Sequence, residues 1–502
     1  MLKIQHISPE KKSGYKSIFK SITLFGGVQV WKIFIEIIRQ KIIATILGPF
    51  GIGISELLTS ATTLIQSISS FGLSTSAIKS IAEANASGDI YRISKVVIVL
   101  RRLMYFTGLL GMIIVIGLSP FLSKSTFGNY DFTFSFIFLS VTLLFQQLTV
   151  GQSVLLQGMK QFRSLAKASV YGSFFGLIIN IPIYYFIGIK GIVPSLILSS
   201  ITALILTWIY SHKIVIIKQR ISPVDTVKEG AEMLKIGFAM SLTNVLVLVS
   251  SYILKIYIAR LGGTEEVGFF SAGFAIVNGY VGLVFTAMGT DYYPRLAEIN
   301  NNRAKYTELI NQQAEIAILL LSPIIMIFLM LSPTIIILMY SSDFLPIVGF
   351  MQWTMIGMIF RPASWTISYL FIAKGDMKSF LSTDLSIKFI NLPLFLIFYK
   401  YFGLTGLGIA FMINNLIYML LVFFVSRRKY EFKLSHSFYK IFYFYLILII
   451  LYMAVNFYLE INFKNILLTV LLVVSILYSL SSLDRRLYFF SYIKSFINEK
   501  RK

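Results

Sequence analysis

A chain of 502 residues that is 56% hydrophobic, only 13% charged and +0.78 in mean hydropathy is excluded from the soluble globular class, where roughly 25% of residues are charged. Its net charge of +23 does not mark a nucleic-acid binder, because the basic residues punctuate apolar runs instead of gathering on one soluble face. The absence of cysteine removes disulfide frameworks, thiolate metal sites and catalytic thiols.

In chain order, the opening MLKIQHISPEKKSGYKSIFK is polar and basic, and no small-residue cleavage site follows the first apolar run. It reads as a cytoplasmic lead-in to a retained helix. A crossing helix needs about 20 mainly apolar residues, which predicts about fourteen spans. They lie near 18–42, 52–77, 96–121, 132–154, 165–187, 191–211, 235–258, 266–289, 312–340, 345–371, 380–400, 403–426, 438–459 and 463–482.

Basic residues collect in alternate loops. Lys11, Lys12 and Lys16 precede the first span, and Lys213, Lys218, Arg220 and Lys228 separate the sixth from the seventh. Arg427, Arg428 and Lys429 follow the twelfth, and Arg485, Arg486 and Lys494 end the chain. The intervening loops hold little beyond Lys124, Lys190, Arg260, Lys400 and Lys464. This bias sets both termini in the cytoplasm, and an even number of spans agrees.

Three pairs of landmarks recur. LGPFGIG resembles LGGTEEVG, QGMKQF resembles KGDMKSF, and FIGIKGI resembles YFGLTGL. Matching Gly48 to Gly262, Gly158 to Gly375 and Gly188 to Gly403 gives offsets near 215 residues, the signature of an internal repeat. The expected fold is an all-α integral membrane protein with two parallel-repeat six-helix lobes around a central cavity. The N-lobe covers 1–215, the C-lobe 228–427, a C-terminal helix pair 436–484, and a basic cytoplasmic tail 485–502. Transporters built this way bind substrate between the halves and rock around it.

Five basic side chains fall inside the spans: Lys32, Arg39, Lys255, Arg361 and Lys388. A charge near the bilayer centre costs roughly 2.5–3.5 kcal/mol even on the lenient scale, so such groups face a cavity or a partner. Only Glu36 and Asp384 share those helices. The expectation is a cationic cavity for an anionic substrate, with Glu36 and Asp384 as candidates for H+ or Na+ coupling, and Glu56 and Asp291 nearer the span edges. Plainer readings stand beside this one. Lys32–Glu36 and Asp384–Lys388 have the spacing of helical ion pairs, and Arg39 and Lys255 sit where long side chains snorkel. The hydroxyl stripe Ser60, Thr63, Ser67, Ser70, Ser74 of the second span suits helix packing. Arg361, beside Pro362, has no carboxylate at helical spacing and is the hardest to dismiss.

Enzymatic chemistry finds no support. His6, His212 and His436 lie in predicted cytoplasmic segments, no cluster has metal-ligand spacing, and no G-x-x-x-x-G-K-[ST] loop offers direct ATP drive. No metal and no cofactor is expected.

The first helix leading into LGPFGIG, the segment GQSVLLQGMKQF, and GIKGI between helices five and six resemble bacterial polysaccharide flippases. So do LKIGFAMSLTN, RLGGTEEVGFFSAGFAI and YYPRLAEI in the second half. This is the Wzx-type O-antigen (lipid-linked oligosaccharide) flippase family of the multidrug/oligosaccharidyl-lipid/polysaccharide (MOP) exporter superfamily, and the likeness covers the first 425 residues. It implies translocation of an undecaprenyl-pyrophosphate-linked glycan to the outer leaflet of the bacterial inner membrane. It also implies a cationic cavity, with the glycan polymerase and other assembly proteins as partners and no nucleic acid. A lipid II flippase and a drug/cation antiporter of the same superfamily are the alternatives. A membrane glycan polymerase or ligase is disfavoured by the short outer loops.

Overall fold

The computed structural model describes residues 9–458 and 461–487. The chain is all-α there, with no strand among the described residues. In lipid no water satisfies backbone N–H and C=O groups, so an apolar chain of this length must close its hydrogen bonds within helices. Ten helical stretches among the described residues are long and apolar enough to cross a membrane. The expected basic tail lies outside the described residues from 488 onward.

The chain divides into two compact units, residues 1–260 and 261–502. The first holds α1 (Pro9–Ser69), α2 (Leu73–Ala86), α3 (Ile90–Phe127), α4 (Thr133–Leu139), α5 (Val141–Gly158), α6 (Phe162–Ile187), α7 (Ile192–Ser211) and nearly all of α8 (Pro223–Gly262). The second holds α9 (Thr264–Ile276), α10 (Gly282–Glu298), α11 (Arg303–Met339), α12 (Val348–Gly357), α13 (Arg361–Ala373), α14 (Met377–Tyr430), α15 (His436–Tyr458) and α16 (Ile461–Leu487). Helix α1 breaks at Gly48 and α14 at Gly403, so each carries two predicted spans.

The internal repeat is written in the backbone, in a corrected register. Left-handed residues occur at Gly48 and Gly263, at Lys160 and Gly375, and at Gly188 and Gly403. The offset is 215 residues in each case (263 minus 48, 375 minus 160, 403 minus 188). The structural counterpart of Gly48 is therefore Gly263, not Gly262, and that of Gly375 is Lys160, not Gly158. Hydrogen bonds agree. Gln161 N donates to Leu156 O at 2.8 Å, as Asp376 N does to Phe371 O at 2.8 Å. Glycine letters misled the alignment because what the turn requires is the left-handed conformation, which Lys160 adopts at φ 57°.

In unit 1, α8 is fastened along its length. Near the inner end Lys95 pairs with Glu229, and Arg102 donates to Ile221 O at 2.8 Å and to Thr226 Oγ1 at 2.7 Å. Backbones touch where Gly72 meets Gly237: a Cβ added to Gly72 would lie 2.1 Å from Gly237 O, and one on Gly237 2.6 Å from Phe71 O. Toward the outer end Tyr252 Oη and Thr126 Oγ1 are 2.5 Å apart, and Arg260 reaches Ser125 O at 2.9 Å. Two apolar clusters fill the unit, one around Ile81, Leu100 and Leu156 and one around Leu58, Leu143 and Ile192. Lipid is as apolar as these side chains, so their packing works through van der Waals fit more than through removal from water.

In unit 2 the C-terminal pair α15–α16 is pinned to α11. Glu315, 8% exposed, accepts from Ser435 Oγ at 2.7 Å, Ser437 Oγ at 3.1 Å and Arg486 Nε at 3.0 Å. Asn311 Oδ1 accepts from Ser435 N at 2.7 Å. Farther along, Tyr452 and Ser479 donate to the carbonyls of Leu329 and Leu319. Large apolar side chains such as Phe121, Phe134, Tyr185, Phe186 and Phe389 are exposed, as expected of faces solvated by lipid.

Candidate functional site

In unit 1 Arg39 and Lys255 are each paired with an acid. Arg39 Nη2 lies 2.6 Å from Glu36 Oε1, which also accepts from Gln40 Nε2 at 2.9 Å. These residues stack on α1 at helical spacing, so one carboxylate serves both neighbours. Lys32 belongs to the same helix, but its side chain lies outside the described residues, as does that of Asp291. Lys255 does not snorkel: its side chain is 13% exposed, and Nζ donates to Glu56 Oε2 and to Ser60 Oγ, each at 2.8 Å. Glu56, expected at a span edge, thus sits opposite the seventh-span lysine. Taking one member away would strand a partly buried charge, which costs about 3–5 kcal/mol in dry surroundings.

In unit 2, Lys388 Nζ contacts Asp384 Oδ2 at 2.6 Å, and both side chains are about a quarter exposed. Arg361 differs. No carboxylate among the described residues lies within ion-pair reach of its guanidinium, which instead lies over the Phe285 ring at 5.1 Å and reaches Met358 Sδ at 3.8 Å. The cation–π contact contributes about 0.5–2 kcal/mol, well short of a carboxylate partner, so the charge keeps most of its capacity to bind an anion. Arg361, Trp365 and Tyr369 recur every fourth residue on α13 and share a face. Trp365 packs on Phe285 at 5.4 Å and on Tyr369 at 5.1 Å, and Tyr369 on Tyr293 at 6.0 Å. The free cation therefore heads a run of half-exposed rings.

Of the five basic residues singled out in the sequence, three are matched by a carboxylate, one is not, and one lies outside the described side chains. Sequence reasoning missed the Glu56–Lys255 pair, because it joins helices far apart in the chain. It also missed Glu315, whose one visible signal was an acid at the start of a span and an arginine at the end of the last. A cavity of about 630 Å³ at the inner ends of α2, α3 and α8 mixes Lys79, Arg92 and Lys95 with Glu83, Asp89, Glu229 and Glu232. Three bases against four acids do not make it an anion site.

Known proteins resemble this chain over most of its length. Lipid III flippases of Escherichia coli (strain K12) and Shigella flexneri are each 21% identical to it over 415 residues, covering 79% of this chain and 96% of theirs. Among solved structures, the lipid II flippase MurJ in an inward closed conformation superposes with a TM-score of 0.72 at 14% identity, covering 93% of this chain and 99% of that one. An inward-facing MATE-family multidrug transporter of the MOP superfamily gives 0.63 at 16% identity, covering 80% and 94%. Those likenesses show the fold, and the ten apolar helical stretches with flippases among the relatives make the chain a multi-pass inner-membrane protein. With its residues 42–349 matched by the family model described as polysaccharide biosynthesis protein, well over half its length, the chain belongs to that family.

Proposed function

We propose that this protein flips an undecaprenyl-pyrophosphate-linked oligosaccharide, an O-antigen, capsule or exopolysaccharide repeat unit, from the inner to the outer leaflet by alternating access. The observation that carries the reading is the guanidinium of Arg361 at the start of α13, which has no carboxylate partner among the described residues. An unmatched cation there is costly unless it serves an anionic ligand, and a pyrophosphate is a bidentate match for arginine. Membership of a polysaccharide biosynthesis family and likeness to lipid III flippases support a lipid-linked precursor as cargo. Arg361 and Lys32 are the candidate substrate-binding cations, Arg39, Lys255 and Lys388 act with their paired acids, and Asp384 and Glu36 are the candidate H+ or Na+ couplers. The protein works as a transporter, not an enzyme.

The test is complementation of surface glycan in a flippase-null strain. Arg361→Ala, and Arg361→Ala combined with Lys32→Ala, should insert normally and leave little or no glycan. Wild-type glycan from the double variant would sink the cationic-lining reading. The MurJ likeness favours one rival, a lipid II flippase; rescue of a lipid II flippase deletion, with no effect on surface glycan, would establish it instead.

A further inference from the structure

Unit 1 contains a second polar feature, within its own helices. A cavity of about 320 Å³ opens among α1, α5, α6 and α7. Arg39 stands on one wall, and the others carry hydroxyls: Thr149 and Ser153 from α5, Ser169 and Ser173 from α6, and Ser199 and Thr207 from α7. No acid lines it, and the single base is balanced by Glu36 at 2.6 Å. Four hydroxyl protons are already committed. Thr149 donates to Phe145 O at 2.8 Å, Ser173 to Ser169 O at 3.1 Å, Thr207 to Ala203 O at 2.7 Å and Ser199 to Asn180 Oδ1 at 2.9 Å. Each such oxygen still offers an acceptor lone pair. The buried Nε–H of Arg39 has no partner among the described residues. Gly172, Gly176 and Ala168 leave a flat apolar strip between these groups.

At four of the lining positions the repeat places different chemistry in the other half. At the 215-residue offset, Gly172 becomes Ile387, Ser169 and Ser173 become the bonded pair Asp384 and Lys388, and Ala203 becomes Tyr418. The side chain is larger at every one of these positions, and an ion pair replaces two hydroxyls.

We infer that the unit 1 cavity is a binding site for one uncharged or N-acetylated sugar ring of the transported glycan. A near-neutral ring of hydroxyl acceptors, a guanidinium already balanced by Glu36 and a flat apolar strip match the hydroxyls and C–H face of a pyranose, and do not match a diphosphate. The volume lies at the small end of the roughly 300–1,000 Å³ of ligand pockets, suited to a terminal sugar and not to a whole repeat unit. The inference rests on the flippase reading and adds to it which part of the cargo each half reads.

The test uses full-length protein in proteoliposomes with two probes, a short-chain polyprenyl diphosphate bearing one N-acetylhexosamine and the same diphosphate without sugar. Ser169→Asp combined with Ser173→Lys installs the unit 2 pair, and Ser153→Ala with Ser169→Ala removes two hydroxyls while preserving the helices. The ratio of sugar-bearing to bare carrier moved should fall about tenfold in the first variant and about threefold in the second. An unchanged ratio in the second variant, with the wild type active, would overturn the inference alone. A wild type that moves neither probe would overturn the flippase reading and this site with it.

Discussion

Unit 1 and unit 2 turn on the same left-handed residues 215 positions apart, yet they settle their polar groups differently. Unit 1 places hydroxyls around a cavity and spends its acids on Arg39 and Lys255. Unit 2 fills the matching positions with Asp384 and Lys388 and leaves Arg361 without a carboxylate among the described residues. Backbone turns are constrained by sterics, so they persist across the repeat. Polar side chains are constrained by what they bind, so duplicated halves are free to diverge there.

The largest expected effect tests the free charge of unit 2. Arg361→Ala removes a cation that no carboxylate among the described residues holds, so the fold should survive; Arg361→Lys keeps the charge but not the bidentate fork. Transport of a lipid-linked glycan into vesicles should fall at least about a hundredfold in the alanine variant, the ~3 kcal/mol scale of a lost charge-assisted hydrogen bond. The lysine variant should fall between. Equal activity of all three proteins would erase the contrast between the halves.

Next in size is the pinning of the C-terminal pair, which unit 1 has no equivalent of. Glu315→Ala leaves the part-buried Arg486 against Ser437 without its counter-charge, a loss of about 1–3 kcal/mol once partial solvation is allowed for. Thermal unfolding in detergent should drop by several degrees, and Glu315→Ala with Arg486→Leu should recover part of it. No recovery in the double variant would mean the pair does not act as a unit.

How much of this was legible in the sequence follows from the range of each interaction. The all-α membrane-spanning character is carried by local apolar runs, and it was readable. Helical spacing offered Asp384–Lys388 as an ion pair beside its cavity reading, and the structure joins the two at 2.6 Å. Glu56–Lys255 joins residues 199 apart and Glu315–Arg486 residues 171 apart, and nothing local announces either contact. The hydroxyl cavity was hidden for another reason: serine and threonine in a span are usually packing residues, and only the helix arrangement shows which of them line a space.

A smaller effect concerns the inner turn before the long helix of each half. In unit 2 the turn residue Asp376 caps α14 through Ser379 N at 3.2 Å and also accepts from Lys429 and Tyr430. Burial alone would push its carboxyl up, but the hydrogen bonds from Lys429, Ser379 and Tyr430 together hold it well below the ordinary carboxylate range. The counterpart in unit 1 is Gln161, which does not titrate. A depressed folded value means stabilisation present above the unfolded value, about 3.9, and lost as pH falls below it. Wild type should therefore melt above Asp376→Asn at pH 7, and the gap should narrow as pH falls from about 5 toward 3. Gln161→Ala should show no such dependence. A gap that stays constant with pH would remove the electrostatic part of the contrast.

The smallest expected effect lies at the turn residue itself. Lys160 holds φ 57° where its counterpart is Gly375 at φ 69°, and a left-handed conformation costs a residue with a Cβ roughly 1–2 kcal/mol. Lys160 is exposed and its backbone N–H bonds Gln157 O at 3.0 Å, so glycine would relieve the strain without losing a packed side chain. Part of the gain is offset by the greater freedom of glycine in the unfolded chain, about 0.5–1 kcal/mol. Lys160→Gly should thus stabilise unit 1 by about 0.5 kcal/mol. Gly375→Ala should destabilise unit 2 by about 1 kcal/mol, because it adds the strain that Lys160 already carries. Opposite signs in the two halves are the expected outcome, since the same turn is strained in one and relaxed in the other. Destabilisation by both changes would mean that the Lys160 side chain holds the turn through contacts of its own, and that the halves differ here in chemistry as well as in strain.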